Sequence, residues 1–165
     1  MSEKIDESIR AVRKLIEAFN TGDTTKLDEL VDPEYFNHES QASPERAKLR
    51  GPDEVRDTIT KLRSAFADLQ YKEQEIIASG DKVVVILQVS GRHVGDFFGI
   101  EPTGNSFSYM AAHVYRLTNN SKVVEHKAIR DDLRFMMQLG VIEPVKKYEP
   151  IFQVWKGMTT RGSAA

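Results

Sequence analysis

Gly91–Arg92–His93–Val94–Gly95–Asp96–Phe97–Phe98–Gly99–Ile100–Glu101–Pro102–Thr103–Gly104 is the stretch on which the fold turns. Regular secondary structure rarely needs four glycines, a proline and a histidine at such close quarters. The spacing predicts a strand that ends at His93, a turn over Val94–Gly99 carrying two aromatics, and a second turn at Pro102–Thr103–Gly104. A strand resumes with Ser106 to Leu117, so the two runs form a long hairpin with an elaborate connection. Elaborate loops on rigid sheets often carry function. The plainer reading is a bulged hairpin loop with Phe97 and Phe98 tucked into the core.

Outward from this hairpin the period of two continues. Tyr71 to Ala78, Lys82 to His93, Ser106 to Leu117 and Lys122 to Arg130 read as four strands, joined by Gly80–Asp81, the long loop and Asn119–Asn120–Ser121. Upstream the period is helical. Ile5, Ile9, Val12, Ile16 and Phe19 make one stripe that ends near Gly22. Asp23 or Thr24 is placed to cap a short second helix through Leu30. Pro33 to His38 reads as a short extended piece and Glu39 to Arg50 as a polar loop. A third helix opens at Pro52, with Asp53 and Glu54 at its positive end and Val55, Ile59, Leu62 and Phe66 as its apolar face. Asp131 or Asp132 can cap a last helix carrying Leu133, Met136, Met137 and Leu139 and ending at Gly140. Helices followed by an antiparallel sheet make an α+β pattern, and a curved sheet wrapped around helices leaves a blind cavity.

Composition narrows the function classes. The chain has 165 residues, 40% of them hydrophobic, with a net charge of −2 and no cysteine. That describes a soluble domain able to bury a core, without the basic surplus that nucleic acid or an anionic membrane favours. Disulfides, thiolate metal sites and cysteine nucleophiles are excluded. Met1–Ser2–Glu3–Lys4 has no apolar signal core, and no run is long enough to span a bilayer, so a cytoplasmic protein is expected. Beyond Pro144, Tyr148, Ile151, Phe152, Val154 and Trp155 are expected to pack on the domain or on a subunit partner, and Thr159 to Ala165 to be disordered.

Strand parity selects candidates. On the Ser106–Leu117 strand the odd face is Phe107, Tyr109, Ala111, His113, Tyr115 and Leu117. An apolar face interrupted by one imidazole suits a pocket wall, although a satisfied core histidine fits it too. If the odd face of Lys122–Asp131 also lines the cavity, Glu125, Lys127 and Asp131 enter it beside His113, Leu87 and His93. Several ionisable groups on one half-buried face are costly unless paired or functional. A structural Glu125–Lys127 ion pair and an Asp131 helix cap are the plainer alternatives. His126, of opposite parity, reads as surface or interface, and Arg130 shares that parity. His93, between Gly91 and Gly95, reads as holding the loop. No H-x-H or H-x-x-x-H spacing exists, so no metal is expected.

The run G-x-H-x-G-x-F-x-G-x-x-P-T-G resembles the signature of the SnoaL-type polyketide cyclases, which have a cone-shaped α+β barrel similar to nuclear transport factor two. The resemblance continues in Phe36–Asn37–His38, Gly51–Pro52–Asp53–Glu54–Val55, His113–Val114–Tyr115–Arg116, Lys122–Val123–Val124–Glu125–His126, and Asp131 with Gln138–Leu139–Gly140. It runs from roughly Ile5 to Ile142. It implies three N-terminal helices on a strongly curved, mostly antiparallel sheet with a short C-terminal helix. The domain would be residues 1–142 and a C-terminal extension 143–165.

The resemblance also implies cofactor-free acid/base chemistry on a small carbonyl compound, an aldol-type ring closure or a related isomerisation or lyase step. Asp131 takes the place of the general acid/base, and His38 and His113 would polarise the carbonyl or hold the enolate oxygen. Phe36, Phe66, Phe97, Phe98 and Tyr109 would supply the apolar surroundings that lift a carboxyl pKa. Leu87, His93, Glu125 and Lys127 complete the substrate-binding set. The partner is a small molecule, and a homodimer or higher homo-oligomer is expected, with Ala112, Val114, Val124 and Ala128 on the outer sheet face. Where the family carries an E-H-W-D-like run, this chain has Glu125–His126–Lys127–Ala128. The loss of tryptophan and acid favours a smaller or anionic substrate. A non-catalytic binder using His113, Lys127 and Asp131, or an epoxide hydrolase-like enzyme, are the alternatives on the same fold.

Overall fold

The computed structural model describes residues 2–42 and 48–143. The extension read over 143–165 lies outside the described residues apart from position 143. The chain runs α1 (Ser2–Thr21), α2 (Leu27–Leu30), β1 (Val31–Asn37), a 3-10 turn (His38–Ala42), α3 (Gly51–Ala65), β2 (Phe66–Ser79), β3 (Lys82–His93), β4 (Ser106–Leu117), β5 (Val123–Arg130) and α4 (Asp132–Leu139). Helix α1 buries Val12, Leu15 and Ile16, and its end is tied where the Gly22 N–H returns to Ala18 O at 2.8 Å. Asp23 does not cap α2; its carboxylate accepts the Thr25 N–H at 2.9 Å in a local turn.

Five strands form one sheet in the order β1-β5-β4-β3-β2, antiparallel except for the β1–β5 pair. The sheet is curved and unclosed, and the whole is a cone-shaped α+β fold. Bulges bend the long β2 strand between Ala67 and Gln70 and again between Glu73 and Glu75. Odd residues of β3 and β4 pair across the ladder, as in Val85 with His113 and Val89 with Tyr109, and share the inner face. Val83, Val85, Leu87 and Val89 form the buried floor there. Among the described residues no helix is long and apolar enough to cross a membrane.

One irregularity decides what faces inward from β5. Leu117 pairs with Val123, but Arg116 pairs with Glu125, so Val124 is an extra residue in β5. Beyond it, odd residues of β4 oppose even residues of β5: Tyr115 with His126, His113 with Ala128, Ala111 with Arg130. A one-residue shift moves every following side chain to the other face. The expected inner face of β5 is therefore its outer face.

The glycine-rich loop leaves β3 at His93 as its spacing predicts. Val94 and Gly95 donate their N–H groups to Ala65 O at the end of α3, at 2.8 and 3.0 Å. A Cβ on Gly95 would stand 2.3 Å from Ser64 O, so only glycine lets the loop lie this close. Phe97 and Ile100 exchange backbone hydrogen bonds around Phe98 and Gly99, both with positive φ (53° and 83°), in a tight primed-type turn. The turn separates its two aromatics. Phe97 joins the cluster of Phe66 and Phe135, at ring distances of 4.8 and 5.7 Å, while Phe98 is 68% exposed.

Candidate functional site

Between the helices and the inner sheet face lies a cavity of about 870 Å³. One wall is aromatic: Phe66, Phe97, Phe107, Tyr109 and Phe135 meet edge-on and tilted, with Phe107 and Phe135 at 4.8 Å. Helix α4 is held against β4 by Gln138, whose amide accepts Ser108 N–H at 2.6 Å and donates to Ser108 O at 3.0 Å. That docking places Phe135 and Met136 on the cavity wall.

A second region of the wall is ionic. Arg130, at the end of β5, holds Glu39 Oε2 through its guanidinium at 3.0 Å and Asp132 Oδ1 through Nε at 3.1 Å. The second oxygen of Glu39 accepts the Ala128 N–H at 3.2 Å. A carboxylate from the 3-10 turn thus reaches the β5 backbone at Ala128, where the E-H-W-D-like run would place its own acid. Burial works to lower the Arg130 pKa, but the Asp132 hydrogen bond and the charges of Asp132 and Glu39 outweigh it and raise it.

The inner end of the cavity is polar. Glu54 Oε1 accepts from Asn37 Nδ2 at 2.9 Å, Asn37 Oδ1 faces His126 Nδ1 at 3.0 Å, and His126 Nε2 faces His113 Nδ1 at 3.0 Å. Burial, aided by the Arg130 charge, holds the His113 pKa down at about 4, and burial with the charges of His113, Arg130 and His38 holds His126 well below 6.5. Burial also lifts the phenols: Tyr109 to about 12, Tyr71 and Tyr115 well above the ordinary range. At neutral pH these three remain O–H donors. Among the described residues no cluster of His, Asp and Glu is arranged to hold a metal ion.

Of the residues singled out from sequence, Phe66, Phe97, Phe98, Tyr109 and His113 line this cavity. The others are placed elsewhere. Asp131 is the N-cap of α4, its Oδ1 accepting the Arg134 N–H at 3.1 Å, and its neighbour Asp132 lines the cavity instead. The Val124 bulge carries Glu125 and Lys127 to the outer face, where Arg116 Nε donates to Glu125 at 2.6 Å and Lys127 Nζ lies 3.9 Å away. His38 joins them there, 2.8 Å from Glu125, because alternation along β1 sends Tyr35 and Asn37 inward and Phe36 outward. Hydrogen bonds from Arg116 and His38 pull the Glu125 pKa down to about 2. Phe36 packs its ring on His38 at 4.8 Å and under Arg50. Leu87 is fully buried in the core opposite Ala111. His93 is also fully buried and holds the loop, with Thr103 N–H donating to its Nδ1 at 3.2 Å.

The same bulge brings in His126 and Arg130, which their parity had assigned to the surface, and takes Ala128 from the outer face. Asn37 and Glu39 sit where the chain leaves β1 for the 3-10 turn, a junction that periodicity does not mark.

The family model of the SnoaL-like polyketide cyclases matches residues 9–139. The chain belongs to this family. It is 35% identical over 141 residues to the aklanonic acid methyl ester cyclase of Streptomyces peucetius, covering 85% of this chain and 92% of that one. The nogalonic acid methyl ester cyclase of Streptomyces nogalater is 32% identical over 76% of this chain and 92% of its own. Among solved structures, TsrD from Streptomyces laurentii superposes with a TM-score of 0.70 at 30% identity, over 81% of this chain and 97% of that one. For this SnoaL-like chain, the proton-bearing groups of the cavity include the ionic trio, the histidines and the phenols of Tyr71, Tyr109 and Tyr115.

Proposed function

We propose that this protein is a cofactor-free cyclase that closes a ring by an intramolecular aldol reaction, with Asp132 as the acid/base. The observation that carries the reading is the Glu39–Arg130–Asp132 trio on the cavity wall beside its aromatic cluster. Asp132 removes a proton from a carbon activated by neighbouring carbonyls. The enolate carbon attacks a ketone carbon of the same molecule, a C–C bond forms, and the new alkoxide takes the proton back as a hydroxyl. The product is an isomer of the substrate and no other reactant is needed. Arg130 steadies the developing negative oxygen, and the buried phenols of Tyr71, Tyr109 and Tyr115 are donors for it. The aromatic wall suits a flat polyketide, so the loss of the family's tryptophan at Lys127, on the outer face, does not remove aromatic surface from this cavity.

The test is incubation of the full-length protein with aklanonic acid methyl ester, followed by chromatography and mass spectrometry. An isomer of unchanged mass is expected, and its formation should vanish in Asp132→Asn. Unconverted substrate under these conditions counts against that substrate; conversion undiminished in Asp132→Asn refutes the role of Asp132. A second reading, an epoxide hydrolase-like enzyme, draws on the same trio, because two carboxylates around an arginine can activate water. Addition of water, giving a product about 18 mass units heavier in ordinary water and about 20 in 18O-labelled water, separates the two. Exposed Ile129 (76%) and Met110 (46%) on the outer sheet favour a working homodimer; sedimentation as a monomer at micromolar concentration overturns that.

A further inference from the structure

Tyr71, Val89 and Tyr109 stand in one row across the inner face of the sheet, with Tyr71 opposite Val89 and Val89 opposite Tyr109. Both tyrosines line the cavity, and Val89 between them is buried in its floor. The two rings are held in place. Asn20, at the end of α1, accepts the Tyr71 N–H on Oδ1 at 2.7 Å and donates from Nδ2 to the Tyr71 carbonyl at 3.2 Å. Phe19 meets the Tyr71 ring edge-on at 5.4 Å, and Phe107 and Phe135 lie 6.0 and 5.0 Å from the Tyr109 ring. The two hydroxyls, by contrast, are not held. Neither makes a hydrogen bond to a described residue, yet neither is a buried orphan such as His113 Nε2, so both oxygens have surface open to the cavity. Burial lifts both phenols far above neutral pH, so each oxygen keeps its proton. A phenol donates better than it accepts, because the ring draws on the oxygen lone pair. Tyr115 is more withdrawn, 4% exposed with its hydroxyl 3.5 Å from His113 Nδ1.

We propose that Tyr71 and Tyr109 form a two-ended hydrogen-bond clamp across Val89, which takes a flat ring system carrying acceptor oxygens, such as carbonyls, on opposite edges. The donors start from backbones two strand spacings apart, about 10 Å, and so reach the ligand from opposite sides of the Val89 floor. Tyr109 is on the side of the ionic trio, where the charges of Arg130 and Asp132 act on it, and Tyr71 is on the edge strand β2. The clamp thus assigns the two donors to two different oxygens, one beside the trio and one away from it. His113 offers neither nitrogen for this purpose, since Nδ1 faces His126 at 3.0 Å and Nε2 is buried. The hold on a carbonyl that the sequence leads one to expect of His113 passes to these phenols. The proposal rests on the cyclase reading only in taking the clamped molecule to be the substrate.

Equilibrium dialysis of the full-length protein with menadione, α-tetralone and naphthalene tests the clamp without any turnover. The three share a two-ring frame and carry two opposed carbonyls, one and none, and the chain has no cysteine for menadione to alkylate. Phenylalanine keeps each ring and strands no partner, and each variant is compared with the wild type on the same probe. Tyr71→Phe and Tyr109→Phe should each weaken menadione binding about fivefold, as the loss of one neutral hydrogen bond does, and leave naphthalene unchanged. α-Tetralone can use one hydroxyl at a time, so either single variant should cost it at most about twofold and the double variant about fivefold. Menadione binding unchanged in either single variant refutes the clamp, as does a wild type that takes up no menadione. An equal loss for menadione and naphthalene also refutes it, because that reports a deformed cavity in place of a lost hydrogen bond. A protein that clamps menadione but leaves aklanonic acid methyl ester unconverted counts against that substrate and upholds the clamp; conversion of the ester with no loss of menadione binding in the variants does the reverse.

Discussion

Asp131 turns its carboxylate to the Arg134 amide at the start of α4, while Asp132 turns to Arg130 on the cavity wall. Both positions are available to a carboxylate at a helix start, and sequence offered either as the cap. Only the exit angle of β5 separates them, and it follows from a bulge several residues upstream. The two substitutions should therefore split. Asp131→Ala loses a cap worth about 1 kcal/mol and should lower stability by that amount while turnover persists. Asp132→Asn should leave stability nearly unchanged and lower kcat on aklanonic acid methyl ester by at least about a hundredfold. Urea unfolding and steady-state kinetics on both variants check this, and a reversal would return the chemistry to Asp131. Gly95 makes a second residue-scale case. A methyl group there meets Ser64 O at 2.3 Å, so Gly95→Ala should cost about 1–3 kcal/mol and loosen the loop that carries Phe97.

At the scale of elements, strand positions followed from alternation because each strand has one buried face. β3 and β4 begin and end where the period-two pattern does, and the odd face of β4 lines the cavity as read. Counting failed most in β5, where one extra residue reversed the parity of His126, Arg130, Glu125 and Lys127; it also placed Phe66 on the third helix, although it opens β2. Alternation is a local rule, and a bulge is set by pairing with another strand, so counting along β5 alone could not locate it. His113 and His126 face one another across this ladder, and their titration reports on it. Both folded pKa values lie below the ordinary 6.5, His113 at about 4, so between pH 6.5 and 4 the unfolded chain binds more protons. The stability they contribute is complete above pH 6.5 and is lost as the pH falls toward 4. Each histidine adds a slope of about 1.4 kcal/mol per pH unit in that window. Glu125, held near 2, begins to add its own loss only below about pH 4.5. Unfolding free energies at pH 7.5, 6 and 5 should show this fall, and His113→Gln should reduce the slope by about one proton. An unchanged slope would mean that His113 is not the buried neutral group described.

Across the whole molecule, the cavity draws its ionic groups from parts far apart in the chain: Glu39 after β1, Arg130 at the end of β5, Asp132 opening α4. No periodicity announces such a meeting, because it depends on β1 pairing in parallel with β5 after most of the chain has intervened. Arg130 is the joint of that meeting. It counters two carboxylates at once, so its removal leaves both facing the cavity without a cation. Arg130→Met should cost roughly 1–3 kcal/mol, less than a fully buried pair, because solvent still screens a side chain that is 35% exposed. Glu39→Gln alone removes one charge and should cost less. The double variant Arg130→Met/Glu39→Gln should be more stable than the sum of the two losses, since the second change removes a charge that the first stranded. A double-mutant cycle by chemical unfolding measures this directly. Simple additivity would mean that the 3-10 turn and β5 are held together by packing alone, and that the trio on the wall is a surface pair of little consequence to the cavity.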